Sequence, residues 1–311
     1  MLDSLHIKNF RCFEDLTIPS LGRVNLIVGK NNSGKSTLLE AIAVFAQGGS
    51  TKSIKNLLNK RHEFFNGAIY QDNKKNIIIK GDEEILSLFT EYDENIGEIY
   101  TSEKSLCDQN YDIREHQRPF ALIDSQLAHE NDLAQQWDTA YLDSEEHIVK
   151  DILTIFNADI TNVIFVQSPE KKDERVAVLK IKGKAKAVPL KAMGEGVSRI
   201  LQIFLSALKA KNGFLLIDEF ENGLHYSIQG EVWVKLLELA EELNIQVFAT
   251  THSEDTVKAF SKVALRSPEK GQIIYLARHM REQDPDKGKI SAVVYNENDI
   301  EMILQTGMEV R

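Results

Sequence analysis

Cysteine, proline and long apolar stretches are all scarce in this sequence of 311 residues. The two cysteines, Cys12 and Cys107, lie far apart and form no CxxC pair, which excludes a disulfide scaffold or a cysteine-rich zinc site and fits a reducing cytosol. With only 6 prolines and 17 glycines, long disordered linkers are not expected. No apolar run approaches the roughly 18 residues of a membrane span, and the N-terminus shows no signal peptide. We therefore expect a soluble cytoplasmic protein without membrane contacts.

Positive charge is also in the minority, because 37 lysines and arginines face 47 aspartates and glutamates and leave a net charge of −10. This balance disfavours a protein coated with nucleic-acid-binding charge, although it is compatible with a local basic groove. The hydrophobic share of 42% and the charged share of 27% are ordinary for a globular protein. The length allows one large domain or two modest ones.

Secondary-structure patterns are clearest at the two ends of the chain. Residues 2–18 alternate as two short strands would, and an apolar strand (Val24–Val28), a glycine-rich loop and a helical pattern follow. In the C-terminal half the apolar spacing predicts helices at 197–208, 228–243, 256–264 and from 298, and strands at 214–217, 245–249, 273–277 and 291–295. Strands that alternate with helices predict an α/β fold, with a mostly parallel sheet and helices on both faces.

The middle of the chain has a weaker pattern. Short antiparallel strands are predicted at 68–70, 77–80 and 97–101, helices between 127 and 156, and further strands at 163–167 and 176–181. No heptad is sustained and no fixed repeat is present, so long coiled-coil arms are not expected.

The strongest motif is Gly29-Lys30-Asn31-Asn32-Ser33-Gly34-Lys35-Ser36, a complete G-x-x-x-x-G-K-S between a predicted strand and a predicted helix. Glycines in this arrangement let backbone N–H groups surround a chain of phosphates. Lys35 would neutralise the β- and γ-phosphate oxygens, and the Ser36 hydroxyl would bind Mg²⁺. The motif therefore predicts a nucleoside triphosphate site, which we extend to Thr37 at the start of the helix.

Two adjacent carboxylates follow a second apolar strand. Asp218 and Glu219 come directly after Phe214–Ile217, and ligands of open α/β sheets bind at the carboxyl ends of the strands. Asp218 is suited to hold Mg²⁺ through water, and Glu219 is suited to accept a proton from the water that attacks a γ-phosphate. A plain solvated turn is the alternative, which the intact phosphate loop makes less attractive.

A histidine and a pair of glycines are two further candidates. His252, beyond the strand at 245–249, could contact the γ-phosphate and sense its loss, although a lone histidine is often structural. Gly194, Glu195 and Gly196 form a second anion-binding helix start before the helix at 197–208. Because the first loop already holds the γ-phosphate of its own protomer, the second predicts contact with the nucleotide of a partner subunit. A simple glycine cap on the helix is the alternative.

Together these motifs resemble the ABC-type ATPases of the SMC and RecF group, and more closely the bacterial ATPases of the overcoming-lysogenization-defect (OLD) family. The opening at 7–13 is similar to the first strand of that group. The resemblance implies Walker A at 29–36, Walker B at 215–219, a D-loop at 221–225, the switch histidine at 252 and the signature motif at 193–199. It covers most of the chain and is strong in residues 1–47 and 190–260.

The resemblance also implies an organisation and a set of ligands. One ATPase domain would span residues 1–311, with a nucleotide-binding core at 1–47 and 190–311 and an insertion of antiparallel strands and helices at 48–189. ATP and Mg²⁺ would be the cofactors, with Ser36 and Asp218 at the metal. Two copies of the chain would form a homodimer that encloses two ATP molecules, with Gly194–Gly196 reaching across.

Three features depart from the family pattern. Gly194 stands where the signature motif usually has serine, so that hydroxyl contact is missing. The Q-loop glutamine is left open among residues 71, 117 and 126. The tail after Ser253 is too short for the Toprim domain of OLD nucleases, and Asp284-Pro285-Asp286 is predicted to lie in a polar turn rather than at its metal site. The chain therefore resembles the ATPase part alone.

Several functions fit these motifs to different degrees. The leading one is an ATPase that controls a separately encoded effector, such as a nuclease in phage defence. The alternative is a RecF-like DNA-binding ATPase in DNA repair, favoured by lysines at 180, 182, 184, 186 and 191, of which the first four would share one strand face; a solvated strand face explains them more simply. Glu219 disfavours a nucleotide-binding scaffold without turnover, and the Phe10-Arg11 opening with the degenerate signature disfavours a transporter ATPase.

Overall fold

The computed structural model describes residues 1–48, 74–81, 84–93, 98–103, 117–268, 270–281 and 284–307. The strand predicted at 68–70 and Cys107 lie outside these residues. Among the helices that are described, none is both long and apolar enough to cross a membrane. The described strands form three sheets, of six, five and three strands.

The elements are numbered here in chain order. The strands are β1 (Leu5–Phe10), β2 (Phe13–Ile18), β3 (Val24–Val28), β4 (Lys74–Gly81), β5 (Glu84–Asp93), β6 (Glu98–Glu103), β7 (Phe120–Ile123), β8 (Ile160–Gln167), β9 (Arg175–Ile181), β10 (Val188–Pro189), β11 (Phe214–Ile217), β12 (Gln246–Thr250), β13 (Gly271–Arg281) and β14 (Asp284–Tyr295). The helices are α1 (Lys35–Ala46), α2 (Glu130–Leu142), α3 (Glu146–Leu153), α4 (Glu195–Lys209), α5 (Tyr226–Glu242), α6 (Glu254–Ala264) and α7 (Glu297–Thr306).

The six-stranded sheet brings the carboxyl ends of its central strands to one edge. Its order is β14-β13-β3-β12-β11-β7, and every pair from β13 to β7 is parallel, whereas β14 runs antiparallel to β13. Strands β3, β11 and β12 are buried along their whole length, as expected of continuous apolar runs that are covered on both faces. The predicted α/β fold with a mostly parallel sheet is confirmed.

Alternate residues of these strands supply a separate apolar core on each face of the sheet. Leu215 and Ile217 of β11 belong to a core that they share with α2 to α7. Their neighbours Phe214 and Leu216 belong to the other core, together with α1, β1 and β2. This alternation follows from the two-residue period of a strand, and it leaves the carboxyl edge of the sheet open for polar side chains.

The two smaller sheets are antiparallel throughout. The five-stranded sheet has the order β2-β1-β4-β5-β6, and the three-stranded sheet has the order β10-β9-β8. A short 3-10 helix (Leu190–Met193) connects the latter to α4. Strand β7 lies within the segment 48–189 but pairs with β11 at the edge of the main sheet, and the sequence patterns did not reveal it.

Two local predictions were wrong. Only Lys180 lies in β9, while the lysines at 182, 184 and 186 lie in the exposed turn that follows, so the four do not share one strand face. The turn is closed by a bond from the Lys184 N–H to the Ile181 carbonyl. Asp284–Asp286 begin β14 instead of a turn, because Asp284 pairs with Arg281 at the end of the long β13–β14 hairpin.

Candidate functional site

The phosphate loop lies between β3 and α1, at the carboxyl edge of the main sheet. Gly34 precedes α1 with a φ of 92°, and a Cβ atom there would lie 2.8 Å from Cε1 of Phe13. Glycine is therefore required at this position for both conformation and space. Because the first N–H groups of a helix have no intrahelical partner, the start of α1 offers donors and a positive helix end to an anion.

Lys35 is folded back over this loop. Its Nζ donates to the carbonyl oxygens of Gly29 at 2.7 Å and Lys30 at 3.0 Å. Burial lowers the pKa of Lys35, while the negative charges of Asp218, Glu221 and Glu219 oppose that shift. The ammonium group is thus held in the loop by carbonyls that a phosphate could replace.

Asp218 joins the ends of three elements. Its Oδ1 accepts hydrogen bonds from the Ser36 hydroxyl of α1 at 3.1 Å and from the Thr250 hydroxyl of β12 at 2.6 Å. Its backbone N–H donates to Ile123 at the end of β7. The two residues that the sequence predicted at a metal site, Ser36 and Asp218, are therefore in direct contact.

A divalent cation of the hard type fits this pair of side chains. Mg²⁺ prefers oxygen ligands and takes few of them from the protein. Water and phosphate oxygens occupy its other coordination positions. A hydroxyl and a carboxylate that share one hydrogen bond present such oxygens. Within the described residues no group of three or more histidine, cysteine, aspartate and glutamate side chains could hold a metal by itself.

Glu219 adopts a strained backbone at the same edge. Its φ is 50°, a left-handed conformation that costs a non-glycine residue about 1 kcal/mol or more. The Glu219 N–H donates to Thr250 Oγ1 at 2.8 Å, and its Oε2 accepts from Asn222 Nδ2 at 2.7 Å. These bonds fix both the backbone and the carboxylate of Glu219.

His252 lies beside two carboxylates. Its Nδ1 is 3.5 Å from Glu221 Oε1 and 3.8 Å from Glu219 Oε1. The backbone N–H of His252 also donates to Glu221 Oε1 at 3.0 Å. Glu221, which the sequence suggested only as part of the D-loop, therefore positions the histidine at the carboxyl end of β12.

Arg199 connects the helix α4 to this edge. Its side chain is 1% exposed and donates to the carbonyl oxygens of Asp124, Asp218 and Glu219, at 2.7, 2.8 and 3.1 Å. Burial lowers the pKa of Arg199, and nearby carboxylates oppose the shift. A guanidinium with several directed donors suits this role better than an ammonium group would.

The glycines at 194 and 196 lie apart from the phosphate loop, at the start of α4. A Cβ on Gly194 would meet no atom of the described chain within 4 Å, whereas a Cβ on Gly196 would lie 2.6 Å from the Gly223 carbonyl oxygen. No described hydrogen bond joins Gly194–Gly196 to Gly29–Thr37. The structure therefore brings Lys35, Ser36, Asp218, Glu219 and His252 together, whereas Gly194 and Glu195 are exposed and Gly196 lies beside Gly223.

The position of β7 separates the three candidate glutamines. Gln117 precedes β7 and lies at the amino end of the parallel strands, away from Asp218, and Gln71 lies outside the described residues. Gln126 follows β7 by three residues, on the side where Ile123 contacts Asp218. Asn222 Nδ2 donates to the neighbouring Ser125 carbonyl at 3.0 Å, so this segment contacts the D-loop and Gln126 is the candidate that fits a Q-loop.

Sequence reasoning missed the role of Thr250, and it named Asn222 and Arg199 only as parts of the D-loop and the signature motif. Thr250 ends an apolar strand next to the strand that precedes Asp218. Because parallel strands end at one edge of the sheet, this position was a usable signal that Thr250 lies near Asp218. The only sequence signal for Arg199 was its position on an otherwise apolar helix face. An arginine that is buried there is expected to have partners.

Comparisons with known proteins found a matching family model and several similar proteins. Residues 24–257 match the family described as "AAA domain, putative AbiEii toxin, Type IV TA system". An ATP/GTP phosphatase of Helicobacter pylori is 24% identical over 343 aligned positions, which cover 85% of this chain and 88% of that protein. An OLD nuclease of Thermus scotoductus is 55% identical over 42 residues, which cover 14% of this chain and 8% of that protein.

Further similarities extend to the RecF and SMC proteins. A RecF protein of Clostridioides difficile is 33% identical over 81 residues, 25% of this chain and 22% of that protein. The solved Smc head domain of Pyrococcus furiosus, bound to the C-terminal domain of ScpA, has a TM-score of 0.58 at 14% identity and covers 98% of both chains. These findings confirm the predicted resemblance to OLD, RecF and SMC ATPases.

Proposed function

Because this chain belongs to that AAA-domain family and is an ABC-type ATPase related to OLD and RecF proteins, we propose that it hydrolyses ATP with Mg²⁺ at the edge that joins Ser36 and Asp218. The observation that carries the proposal is the 3.1 Å contact between Ser36 Oγ and Asp218 Oδ1. It sets two oxygen ligands beside Lys35, at the start of a helix suited to phosphate. Mg²⁺ bound there would neutralise charge on the β- and γ-phosphates.

The phosphate loop binds the triphosphate through its backbone. The N–H groups from Gly29 to Thr37, including those of Asn31, Asn32, Ser33 and Gly34, surround the β- and γ-phosphates. The Lys35 ammonium group exchanges its two carbonyl acceptors for phosphate oxygens. The exchange is favourable because Lys35 is partly buried, and burial makes an unpaired charge costly. Ser36 and Asp218 would hold the metal.

Glu219 is the general base of the proposed reaction. Its carboxylate accepts the proton of the attacking water, while Asn222 holds one carboxylate oxygen at 2.7 Å. His252, within 3.8 Å of Glu219, contacts the γ-phosphate and donates a hydrogen bond to it. Glu221 keeps the histidine beside the carboxylate while no phosphate is bound.

Calorimetry with Mg-ATP tests the site directly. Lys35→Ala removes the positive charge that holds the β- and γ-phosphates, so ATP binding should be lost while circular dichroism shows an intact fold. Lys172→Ala removes an exposed lysine of the turn after β8 and should bind ATP as the wild type does. Undiminished binding by folded Lys35→Ala would refute the assignment.

The working unit of the proposal is a homodimer that encloses two ATP molecules. Gly194, Glu195 and Gly196 begin a helix, make no described backbone hydrogen bond to the phosphate loop of their own chain and have free space at Gly194. Helix starts bind anions, so these residues are placed to meet the γ-phosphate of the partner's nucleotide.

Mixing two inactive variants tests the exchange of sites between subunits. Lys35→Ala damages the nucleotide site and Glu195→Trp places a large side chain at the exposed start of the signature helix, so each alone should lose hydrolysis. A mixed dimer pairs one intact phosphate loop with one intact signature helix and should recover activity. No recovery, together with a Glu219→Gln protein that stays monomeric in ATP by light scattering, would refute the enclosed dimer.

The biological role that we propose is control of a separately encoded effector, such as a nuclease in phage defence. The similarity to an OLD nuclease, over 42 residues, supports this role. Phosphodiester cleavage would then belong to the partner. Plasmid DNA incubated with the pure chain, Mg²⁺ or Mn²⁺ and ATP should stay intact, and nicking that a point mutation in this chain removes would contradict the proposal.

A second candidate is a RecF-like DNA-binding ATPase in DNA repair. It is favoured by the exposed lysines at 180, 182, 184 and 186, which make no ion pair among the described residues and lie shortly before the signature motif. Changing the last three to glutamine should weaken duplex binding and reduce its salt dependence. The same change at 150, 172 and 258 is the control, and equal binding by both triple variants would remove this candidate.

A further inference from the structure

Two buried polar side chains join the helices α5 and α6. Gln229 of α5 is 2% exposed and Thr256 of α6 is 0% exposed. The Thr256 hydroxyl donates to Gln229 Oε1 at 2.9 Å, and Gln229 Nε2 donates to the Leu224 carbonyl oxygen at 3.2 Å. Apolar core residues of the same two helices, among them Val232 and Val257, surround the sequence positions of this pair. The pair is therefore a polar contact within an apolar part of the chain.

One path of contacts leads from Gln229 along the D-loop to His252. Gln229 holds the carbonyl of Leu224, and the Leu224 N–H donates to the Glu221 carbonyl oxygen at 2.9 Å, which closes a turn. The Glu221 side chain accepts the backbone N–H of His252 at 3.0 Å. The end of the D-loop and the histidine are therefore joined through Glu221.

A second path leads from Gln229 through α6 to the same histidine. Thr256 binds Gln229 through its hydroxyl, and the Thr256 N–H donates to Oγ of Ser253, the N-cap of α6, at 3.4 Å. Ser253 follows His252 directly, and its own N–H donates to Thr251 Oγ1 at 3.0 Å. The two paths form a closed ring of contacts that begins at Gln229 and meets at His252.

A hydrogen-bonded pair in an apolar core fixes positions more sharply than an apolar pair would. Burying an amide and a hydroxyl costs free energy unless both are paired, whereas paired groups in a low-dielectric interior hold a defined distance and direction. Two apolar side chains of the same size would fill the same space but specify a less unique arrangement of the two helices. The ring is therefore suited to fix the place of the D-loop relative to His252.

We propose that Gln229 and Thr256 are positioning residues for ATP hydrolysis, which hold His252 and Glu221 in place for the γ-phosphate. Neither side chain lies among the residues of the proposed ATP site, so both act through the histidine. The inference rests on the proposed contact between His252 and the γ-phosphate. Opening the ring should therefore impair hydrolysis of ATP without changing the affinity for ADP, which has no γ-phosphate for the histidine to contact.

Two variants of nearly unchanged size open the ring. Thr256→Val removes one hydrogen bond and should lower kcat about two- to tenfold, and Gln229→Met removes two and should lower it further. Calorimetry should give the wild-type affinity for ADP in both variants. Thr256→Ser keeps the hydroxyl and should stay near the wild-type rate.

A matched change elsewhere separates positioning from stability. Gln246→Met removes a buried amide whose partners are main-chain groups of Leu2 and Gly22, at the amino end of β12. It should lower the melting temperature but keep the wild-type kcat at a temperature where thermal melts show every variant to be folded. A loss of kcat in Gln246→Met as large as in Gln229→Met would show a general effect of stability and overturn the inference.

His252→Ala distinguishes failure of this inference from failure of the proposed function. Slow hydrolysis by His252→Ala, with wild-type rates in Gln229→Met and Thr256→Val, would overturn the role of the ring and leave that of the histidine. Wild-type hydrolysis by His252→Ala would refute the proposed contact with the γ-phosphate, and the inference with it. Weaker ADP binding in both ring variants would also overturn the inference, because the nucleotide site itself would then be disturbed.

Discussion

Two regions of the chain differ in how many contacts hold them in place. One is the nucleotide edge, formed by Ser36, Asp218 and Glu219, and the other is the signature loop, residues 194–196 at the start of α4. At the nucleotide edge, Ser36 and Thr250 contact Asp218, and Asn222 and Thr250 contact Glu219. Both carboxylate residues are therefore held by neighbouring elements. At the signature loop, the space around Gly194 is open and Glu195 is exposed. The proposed nucleotide site is therefore held by contacts within the chain, whereas the residues proposed to meet a partner's nucleotide are open to solvent.

The difference shows that the geometry of the nucleotide edge is fixed before a substrate binds. Catalysis by positioned groups requires that they be held before the substrate arrives, and the bonds around Asp218 do this. A loop that serves the nucleotide of another subunit needs accessible N–H groups instead. Arg199 links the two regions, since it begins on α4 and ends on the carbonyls of Asp218 and Glu219.

The largest effect is expected from Glu219→Gln. Removing the proposed general base should slow ATP hydrolysis by about 10²–10⁴-fold, while glutamine keeps the shape and leaves ATP binding intact. Steady-state phosphate release at saturating Mg-ATP measures the change. Glu254→Gln, at an exposed carboxylate in the first turn of α6, is the matched control. Hydrolysis near the wild-type rate in Glu219→Gln would place the base elsewhere.

Two helical glycines should respond to alanine in opposite directions. At Gly196 a Cβ would lie 2.6 Å from the Gly223 carbonyl oxygen, so Gly196→Ala should destabilise the protein by about 1–3 kcal/mol. At Gly230 in α5 a Cβ would meet no described atom within 4 Å, so Gly230→Ala should stabilise it by about 0.5–1 kcal/mol. Urea unfolding measures both. Equal changes would mean that the contact between α4 and the D-loop is unimportant for the fold.

The sequence predicted the parts of the site that have a strong local pattern. Gly29–Ser36 and Asp218 were found because apolar strands precede them, and parallel strands place such ends at one edge. Strands β7 and β11 both have four residues, a length at which an apolar run is ambiguous. Strand β11 lies between two predicted helices and was found, whereas no helix was predicted directly before β7 and it was missed. Without β7 the sequence could not decide between Gln117 and Gln126.

Long-range contacts explain the other differences. Arg199 reaches carbonyls up to 75 residues away in sequence, and no local pattern encodes such a distance. The lysines after Lys180 alternate as in a strand, yet the chain turns at Gly183, whose φ is 80°. A glycine at the centre of an alternating run was the available signal for that turn.

Thr250→Val should produce a moderate loss of activity. Valine keeps the shape of the side chain in β12 but loses the bond to Asp218 and the acceptor for the Glu219 N–H. Each hydrogen bond of this kind contributes about 0.5–1.5 kcal/mol, so the loss of two should lower kcat by about five- to 150-fold. Thr250→Ser retains the hydroxyl and should stay near the wild-type rate. A Thr250→Val enzyme as fast as the wild type would show that the arrangement of Asp218 does not depend on β12.

The smallest effect concerns the rate at which a thiol reacts near the phosphate loop and near the signature loop. Cys12 lies under the phosphate loop, and burial raises its pKa above the ordinary value of 9.0, opposed by a hydrogen bond with Thr37. Fewer thiolates are therefore present at about pH 8 in the folded protein than in the unfolded chain, and iodoacetamide should alkylate Cys12 more slowly in buffer than in urea. The measurement uses a Cys107→Ser background.

A cysteine introduced into the signature loop gives a second reaction rate to compare with that of Cys12. Glu195→Cys, in a protein that lacks both native cysteines, would lie exposed in the first turn of α4, where the helix start favours the thiolate. It should react faster than Cys12 in buffer, and urea should bring the two rates together. Equal rates in the folded proteins would mean that the phosphate loop and the signature loop are equally open, which the contacts around Asp218 and Gly194 do not predict.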